Sequence, residues 1–493
     1  MSRSLVGNTL LYLPAQLLGP LAQFLVIVAW THLLDPASFG VATFIVAAQE
    51  LTATGGYLWW TLYFLRFNRR YESDGAELLQ EMDRRMVVWG AATQLLVAPF
   101  VLLVIGVTPQ AADTVAVAAY LLTRMLIAHY SERARAEHRI AAYTYAQLLG
   151  PLCGAGLSLV AIWRFGPTPA AALTGLALGQ AIGAVGLMAA LKIRPGLGAF
   201  DADVFRRAGR FGAPLVVSGL FGWLAVNGVR ILVSAGEGVA GVGMLSAGWG
   251  LGQRLANMLA MLCTAAAFPI AIDKLEAGDR GGALEQVSLN SALMLGLLAP
   301  ASAGVALLAK PLVGLLISAN FYEVTIVTLP IATLAGALRM LKIHVADQCS
   351  LLLERMRAQM ALNLADLAMT LGAAAIGMYF GGVIGAAIGC CIGTAFGALT
   401  SVCYAVFALG LPFHSLVYAR ILAAVALMSA VIAACPAAQG AVALTIQVLL
   451  GATAYGASVF ALFPEVRAFA RARIDTRGAR SPIGVRRPAN QDM

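Results

Sequence analysis

Charged residues are scarce in this sequence. Asp, Glu, Lys and Arg together make up 12% of the 493 residues, whereas hydrophobic residues make up 60%. A soluble domain carries about 25% charged residues. The shortage of charge therefore excludes an ordinary soluble enzyme or binding domain. It predicts an all-α, polytopic membrane protein.

Metal-site, disulfide and catalytic patterns are also lacking. The seven cysteines lie in or beside apolar runs, and no histidine stands near them at metal-ligand spacing. Cysteines in such runs behave as small buried hydrophobes. The sequence has no evident pair of catalytic carboxylates and no Ser/His/Asp arrangement. We therefore expect a protein that is not an enzyme and that binds no metal or organic cofactor.

Long apolar runs are abundant. A membrane-spanning helix needs about 20 mostly apolar residues, and the sequence contains about fourteen such segments. The connections on one side are short, so any substrate must be handled among the helices. The predicted spans are 9–33, 41–65, 86–107, 113–130, 141–165, 169–191, 213–233, 242–270, 289–313, 324–344, 359–380, 383–409, 416–434 and 441–463.

The net charge of +9 is distributed unevenly over the connections. Alternate connections carry nearly all the lysine and arginine, and such connections face the cytoplasm in membrane proteins. The intervening connections hold only Arg164 and Lys310. This separation predicts a multi-pass protein of the cell inner (plasma) membrane, with both termini cytoplasmic and no nucleic-acid binding. The basic tail, 466–493, is expected to contact anionic lipid headgroups.

Segment 209–243 repeats a layout that is first seen at the N-terminus. The markers are Pro14, Asp35, Gly40 and Gln49–Glu50 in the first copy, and Pro214, Glu237, Gly243 and Gln253–Arg254 in the second. Six predicted helices separate the copies, so both cross in the same direction. This predicts two six-helix bundles in a parallel pseudo-repeat around a central cavity. The predicted divisions are 1–195 and 196–410 for the bundles, 411–465 for an additional transmembrane helix pair and 466–493 for the tail.

Several stretches carry a resemblance to a known family. They are the N-terminal run with Asn8, LDPASFG at 34–40, FGAPLVVSGL at 211–220 and LANMLAMLCTAAAFPIAIDKLEAGD at 255–279. Together they resemble the polysaccharide-transporter family, the O-antigen and exopolysaccharide flippases of the multidrug/oligosaccharidyl-lipid/polysaccharide (MOP) exporter superfamily. The resemblance implies a cavity that opens alternately to each side and carries an undecaprenyl-diphosphate-linked oligosaccharide across the inner membrane. It further implies a monomer that works beside a polysaccharide polymerase and chain-length machinery.

Arginines inside the predicted spans are the first candidates for a binding site. Each ionisable residue in a span costs about 2.5–3.5 kcal/mol to insert, so it usually faces a cavity or a partner. A guanidinium stays charged and pairs with two phosphate oxygens at once. We therefore expect a diphosphate to be held by arginines, with snorkelling to the interface as the alternative. The candidates are Arg254, Arg124, Arg230 and Arg339.

Two acids, Glu50 and Asp366, are predicted well inside the spans. Glu50 and Arg254 occupy nearly equivalent places in the two copies, so they are candidates for an ion pair that substrate phosphate would open. Either acid is also a candidate site for coupling to H⁺ or Na⁺. Asn227 and Asn257 are expected to offer polar contacts in the cavity.

Other functions are compatible with part of this pattern. A cation-coupled multidrug exporter of the same superfamily is the main alternative, although arginines in the spans favour an anionic substrate. A major-facilitator transporter is disfavoured, because the connection after the second span lacks Gly-x-x-x-Asp-Arg-x-Gly. A peptidoglycan-precursor flippase is disfavoured by the absence of an Arg-rich opening to the first helix. A membrane polysaccharide polymerase or glycosyltransferase would need longer outer loops than those predicted here.

Overall fold

The computed structural model describes the backbone of residues 2–71, 75–108 and 110–468. Side chains at 2–17, 69–70 and 264–269 fall outside that description, and so does the predicted basic tail from 469 onward. The described chain is mostly helical and contains no strand, as the continuous apolar runs predict. The all-α prediction is therefore confirmed for this part of the chain.

The α-helices of the described residues are numbered in chain order. They are α1 (Ser2–Leu33), α2 (Pro36–Ala53), α3 (Trp59–Phe67), α4 (Ala76–Ile105), α5 (Ala111–Ala136), α6 (Ile140–Phe165), α7 (Pro169–Ala190), α8 (Ala202–Glu276), α9 (Arg280–Leu307), α10 (Ala309–Leu316), α11 (Ala319–Leu341), α12 (Gln348–Leu352), α13 (Met356–Phe407), α14 (Ser415–Ala434) and α15 (Gly440–Leu462). π-Helical turns at Thr54–Leu58 and Lys342–Asp347 join α2 to α3 and α11 to α12.

Two of these helices contain a sharp break. α8 changes direction at Gly238, where φ is 67°, and α13 changes direction at Gly381 and Gly382, where φ of Gly382 is 55°. A left-handed φ of this kind is readily adopted only by glycine. The connection between the predicted spans 213–233 and 242–270 is therefore shorter than predicted, because helix continues on both sides of the single residue Gly238.

Ten helices of the described chain are long and apolar enough to cross a membrane. The protein is thus a multi-pass membrane protein. The spans are Ala76–Ile105, Ala111–Ala136, Ile140–Phe165, Pro169–Ala190, Ala202–Cys263, Arg280–Leu307, Ala319–Leu352, Met356–Phe407, Ser415–Ala434 and Gly440–Leu462. Those at Ala202–Cys263 and Met356–Phe407 contain the glycine breaks.

The long helix α8 joins the two halves of the molecule. It packs against α2 and α3 of the first half and against α9, α11 and α13 of the second. One apolar core includes Phe44 and Leu121 from the first half, together with Val229, Leu245 and Trp249 from α8. Burial of these large side chains holds the halves together on one side of the cavity described below.

The start of α2 and the break in α8 meet with almost no space between their backbones. A Cβ on Gly40 would overlap the carbonyl oxygen of Val239, and a Cβ on Gly243 would overlap that of Pro36. The contact is reciprocal, since each glycine faces the residue four positions before the other. Only glycine permits so close an approach, and the contact brings two marker positions of the proposed sequence repeat together.

The turn before α2 is fixed by its own side chains. The Asp35 carboxylate accepts hydrogen bonds from the backbone N–H groups of Ala37 (2.9 Å) and Ser38 (3.1 Å) and from the Ser38 hydroxyl (2.7 Å). This is an N-cap, completed by Pro36 in the first turn. The hydrogen bond from the Ser38 side chain holds the pKa of Asp35 below its usual value. The cap therefore presents Gly40 to α8 in a defined position.

Candidate functional site

A cavity of about 250 Å³ lies among α1, α2, α5, α6, α7 and both arms of α8. Its charged lining consists of Glu50, Arg124, Arg230 and Arg254. Its amide lining consists of Gln23, Gln49, Gln147, Gln180, Asn227 and Gln253. Residues that are far apart in the sequence, from Gln23 to Arg254, thus line one cavity, which we call the central cavity.

The guanidinium groups of the central cavity are held by amides. Arg254 Nη1 donates to Gln23 Oε1 at 2.7 Å, which links α8 to α1. Arg230 Nη1 donates to Asn227 Oδ1 at 2.5 Å, one turn earlier on α8. An amide oxygen orients a guanidinium but does not neutralise its charge.

The central cavity has an excess of positive charge. Within the described residues, no carboxylate oxygen lies within 4.0 Å of Arg124, Arg230 or Arg254. The cavity lining contains one acid, Glu50, against three arginines. Buried charges are costly unless they are paired, so a lining of this kind favours an anionic occupant.

Glu50 projects into the cavity from α2 and remains exposed there. Its charge acts attractively on both Arg230 and Arg254. The direct ion pair predicted between Glu50 and Arg254 is nevertheless absent, because no lysine or arginine nitrogen of the described chain lies within 4.0 Å of the Glu50 carboxylate. The two residues face the same space without touching.

A second chamber of about 220 Å³ adjoins the central cavity. The two share Arg124, Ile127 and Gln147 in their linings. The second chamber continues along α5 to Ser131 and Glu132, toward the basic connection after that helix. The opposite side is occupied by the contact of Gly40 with α8. The space therefore extends toward the side whose connections are rich in arginine.

Arg339 and Asp366 lie outside the central cavity, in a buried cluster between α8, α11 and α13. Arg339 Nη2 donates to the Ala225 carbonyl (3.0 Å) and to Thr394 Oγ1 (3.1 Å). Arg339 Nη1 lies 3.8 Å from Asp366 Oδ2. Arg339 does not snorkel to an interface, since it is only 6% exposed. The structure does not bring it to the other three arginines.

Lys342 completes this group, which we call the α11 cluster. Its Nζ donates to Asn363 Oδ1 at 2.5 Å and lies 3.3 Å from Asp366 and 3.8 Å from Asp347. Two cations therefore face two carboxylates. Since the π-helical turn at Lys342–Asp347 supplies two of the four charges, the cluster fixes an irregular part of the backbone.

Some polar residues do not match the sequence-based assignment. Asn227 lines the central cavity, whereas Asn257 is exposed on α8 and is not among the cavity-lining residues. Gln147 and Gln180 line the cavity but were not predicted to do so. Their signal in the sequence is an amide placed in the middle of an apolar run on α6 and α7, respectively.

The comparisons with known proteins agree with this architecture. Residues 87–326 match the sequence profile of a family described as polysaccharide biosynthesis protein. No curated protein sequence matches the chain significantly.

Three solved structures illustrate the shared fold. The lipid II flippase MurJ in an inward closed conformation has a TM-score of 0.74 and 11% identity, and the match covers 94% of this chain and 99% of that one. An inward-facing multidrug resistance MATE family transporter of the MOP superfamily has a TM-score of 0.59 and 15% identity, covering 81% of this chain and 98% of that one. A MOP superfamily transporter from Pyrococcus furiosus, whose binding pocket is described as having reverse polarity, has a TM-score of 0.52 and 16% identity, covering 82% of this chain and 95% of that one.

The family match and the shared fold bear on the resemblance seen in the sequence. The match covers nearly half of the chain, and the fold similarity extends over almost all of it. The resemblance to a polysaccharide family is thereby confirmed over residues 87–326, and the chain has the fold that the three solved transporters share.

Proposed function

We propose that this protein is a flippase that moves a polyprenyl-diphosphate-linked oligosaccharide across the cytoplasmic membrane for surface polysaccharide biosynthesis. The observation that carries the proposal is the central cavity, in which three arginines face one glutamate. A lipid diphosphate brings negative charge that must cross a region of low dielectric, and guanidinium groups are suited to compensate it. In this proposal Arg124, Arg230 and Arg254 hold the diphosphate.

The amides of the cavity are assigned to the glycan. Amides both donate and accept hydrogen bonds, so they match sugar hydroxyl groups, and the cavity walls include several of them besides Asn227. The adjoining second chamber supplies space toward the arginine-rich side. The lipid-linked oligosaccharide would enter from that side, which we take to be cytoplasmic by the distribution of basic residues.

We further propose that the chain crosses the inner membrane fourteen times, as two six-helix bundles with an additional helix pair. The breaks at Gly238 and Gly382 support this topology, because each allows one long helix to cross twice. The reciprocal contact of Gly40 and Gly243 supports a parallel pseudo-repeat. Alternating access would then separate these glycines and open the cavity outward. Both termini would be cytoplasmic, and the transporter would act as a monomer beside a polymerase and its chain-length machinery.

A cation-coupled multidrug exporter is the second candidate, because the chain shares its fold with a MATE transporter. An exporter of cationic drugs would carry an excess of acids in its cavity, whereas the opposite excess is found here. Drug susceptibility of a deletion strain distinguishes the two functions. Sensitisation to cationic drugs with normal polysaccharide output would favour the exporter.

The proposed function is tested in a strain that lacks the gene. We expect lipid-linked oligosaccharide to accumulate on the cytoplasmic side and surface polysaccharide to disappear, with rescue by the wild-type gene. Arg254→Ala should fail to rescue at normal protein level. Arg164→Ala is the matched control, because Arg164 is exposed at the end of α6 and should rescue fully. Normal polysaccharide in the deletion strain, or full rescue by Arg254→Ala, would overturn the respective assignment.

A further inference from the structure

One face of α5 forms a wall of the second chamber. The residues of α5 that line it are Arg124, Ile127, Ala128, Ser131 and Glu132. Spacings of three and four residues place all of them on the same side of an α-helix. A guanidinium lies at one end of this face and a carboxylate at the other, about 12 Å apart along the helix axis. Two apolar side chains lie between these polar ends.

The junction of the second chamber with the central cavity contains two polar side chains that are available to a ligand. Arg124 and Gln147 line both spaces. Within the described residues, neither side chain makes a hydrogen bond, and Arg124 belongs to no ion pair. Both residues are partly exposed. A phosphate held by Arg124 would therefore place the group that is attached to it next to Gln147.

The far end of the chamber offers a hydrogen-bond acceptor. Arg135 Nη2 lies 2.6 Å from Glu132 Oε2, which compensates part of the charge of this carboxylate. In the described chain, the other oxygen, Oε1, takes part in no hydrogen bond or ion pair, and it is not among the buried oxygens. A carboxylate oxygen accepts strong hydrogen bonds from hydroxyl groups. It repels another carboxylate, so this end of the chamber favours an uncharged occupant.

The size and the walls of the second chamber fit one sugar ring. Its volume of about 220 Å³ is below the range of about 300–1,000 Å³ that is typical of pockets for drug-sized ligands. A sugar ring has hydroxyl groups around its edge and C–H groups on its faces, which match polar ends and an apolar middle. Tyr57 and Leu58, from the π-helical turn at Thr54–Leu58, form part of another wall, and such turns occur frequently at functional sites.

We propose that the second chamber is a binding subsite for one neutral sugar ring, the ring that is joined directly to the diphosphate, and that Glu132 determines its selectivity. This rests on the proposed flippase function, because Arg124 has to hold the diphosphate at the junction. The linked sugar then lies over Ile127 and Ala128, and one of its hydroxyl groups donates to Glu132 Oε1. A sugar that carries a carboxylate is disfavoured by repulsion from Glu132.

The subsite is tested by binding to the purified full-length protein. The probes are three short-chain polyprenyl diphosphates, of which one is bare, one carries a single glucose and one carries a single glucuronic acid. Glucose and glucuronic acid differ only at C6, where the second has a carboxylate. We expect the glucose lipid to bind about tenfold more tightly than the bare lipid, the gain that one hydrogen bond to a charged group provides. The glucuronic acid lipid should bind no more tightly than the bare lipid.

Variants of the chamber separate a sugar contact from a structural role. Glu132→Ala should remove the preference for glucose, and Ala128→Leu should do the same by filling the chamber without a change of charge. Glu132→Gln keeps an oxygen acceptor and loses the charge, so it should bind the glucose and glucuronic acid lipids equally. Glu137→Ala is the matched control, because Glu137 has the same side-chain exposure of 24% and pairs with Arg133, but does not line the chamber. All four variants should bind the bare lipid as the wild type does.

The possible results distinguish this proposal from the proposed function. Equal binding of the glucose lipid and the bare lipid to the wild type would overturn the subsite and leave the flippase standing. A preference for glucose that survives in both Glu132→Ala and Ala128→Leu would also overturn it. Tight binding of the glucuronic acid lipid to the wild type would contradict the role of Glu132. Failure of all three lipids to bind the wild type would overturn the diphosphate site itself, and the subsite with it.

Discussion

The central cavity and the α11 cluster both contain arginine, but the arginines contact different groups in the two places. In the cavity, Arg254 and Arg230 are hydrogen-bonded by the amides of Gln23 and Asn227, and no carboxylate of the described chain lies within 4.0 Å. In the α11 cluster, Arg339 shares the Asp366 carboxylate with Lys342, which also lies 3.8 Å from Asp347. A charge left without a counter-ion is available to a ligand, whereas a charge already paired is part of the fold. What distinguishes the arginines of the cavity from Arg339 is therefore the group that each one contacts, an amide or a carboxylate, and not its depth in the membrane.

Removal of an acid from the α11 cluster should have the largest effect on stability. Asp366→Ala would leave Arg339 and Lys342 with Asp347 as their one remaining carboxylate in the cluster. Breaking a buried ion pair costs about 3–5 kcal/mol, so we expect a large fall in the thermal unfolding temperature of the purified protein. Asp203→Ala is the control, since its ion pair with Arg206 is exposed and surface pairs contribute about 0–1 kcal/mol. Equal stability of the two variants would refute the structural role.

Removal of charge from the cavity should affect transport and leave stability nearly unchanged. Arg254→Gln keeps a donor for Gln23 but loses the charge. Hydrogen bonds to charged groups contribute about 1.5–3 kcal/mol, so transport should fall about tenfold to a hundredfold. The measurement is the flux of lipid-linked oligosaccharide in cells, with the unfolding temperature recorded in parallel. A fall in unfolding temperature comparable to that of Asp366→Ala would mean that Arg254 is structural.

A single methyl group at the outer contact should disturb the conformational balance. Gly243→Ala places a Cβ against the Pro36 carbonyl, and overpacking of this kind costs about 1–3 kcal/mol. We expect the outer side to open, so that Val46→Cys in the central cavity reacts faster with a membrane-impermeant reagent added outside. Gly304→Ala is the matched control, because a Cβ there meets no other atom. Unchanged reactivity in Gly243→Ala would show that this contact does not close the cavity.

Replacement of the whole pair in the α11 cluster should have the smallest effect. Arg339→Met combined with Asp366→Leu removes one cation and one acid and leaves Lys342 facing Asp347 at 3.8 Å. Apolar replacement of a complete buried pair is often neutral or stabilising. We therefore expect polysaccharide output close to that of the wild type. A large loss of transport in a stable double variant would assign the α11 cluster a role in the transport cycle.

Much of the fold could be predicted from the sequence. The apolar runs indicate the helices, and the segment 209–243, which repeats the layout of the N-terminus, indicates the second half of the molecule. The π-helical turn at Thr54–Leu58 and the loop-free break at Gly238 could not be predicted, because both depend on packing against other helices. The pattern of apolar residues predicts which side chains are removed from water, but it does not predict where the backbone of a helix bends.

The candidate site residues were chosen from the sequence by their depth in the predicted spans. Three of them, Arg124, Arg230 and Arg254, line one cavity, and their binding role stays a prediction. The depth of a residue in a span does not specify which side of the helix it occupies. For that reason the sequence did not predict that Arg339 contacts Asp366 in the α11 cluster and not the central cavity.

The buried ion pair between Asp83 of α4 and Arg133 of α5 was missed entirely. Asp83 lies in the polar run EMDRRM, which reads as part of a loop, whereas α4 begins earlier, at Ala76. A polar run can belong to the buried inner end of a helix when partners from neighbouring helices pair with its charges. Those partners, Trp60, His129 and Arg133, are distant in sequence.

In the proposed function the cavity arginines bind a lipid diphosphate. Native mass spectrometry of the purified protein with a polyprenyl diphosphate measures this directly. We expect one bound lipid on the wild-type protein and on the Arg339→Met, Asp366→Leu variant, and loss of binding when Arg124, Arg230 and Arg254 are all replaced by glutamine. Retention of the lipid by a folded triple variant would contradict it.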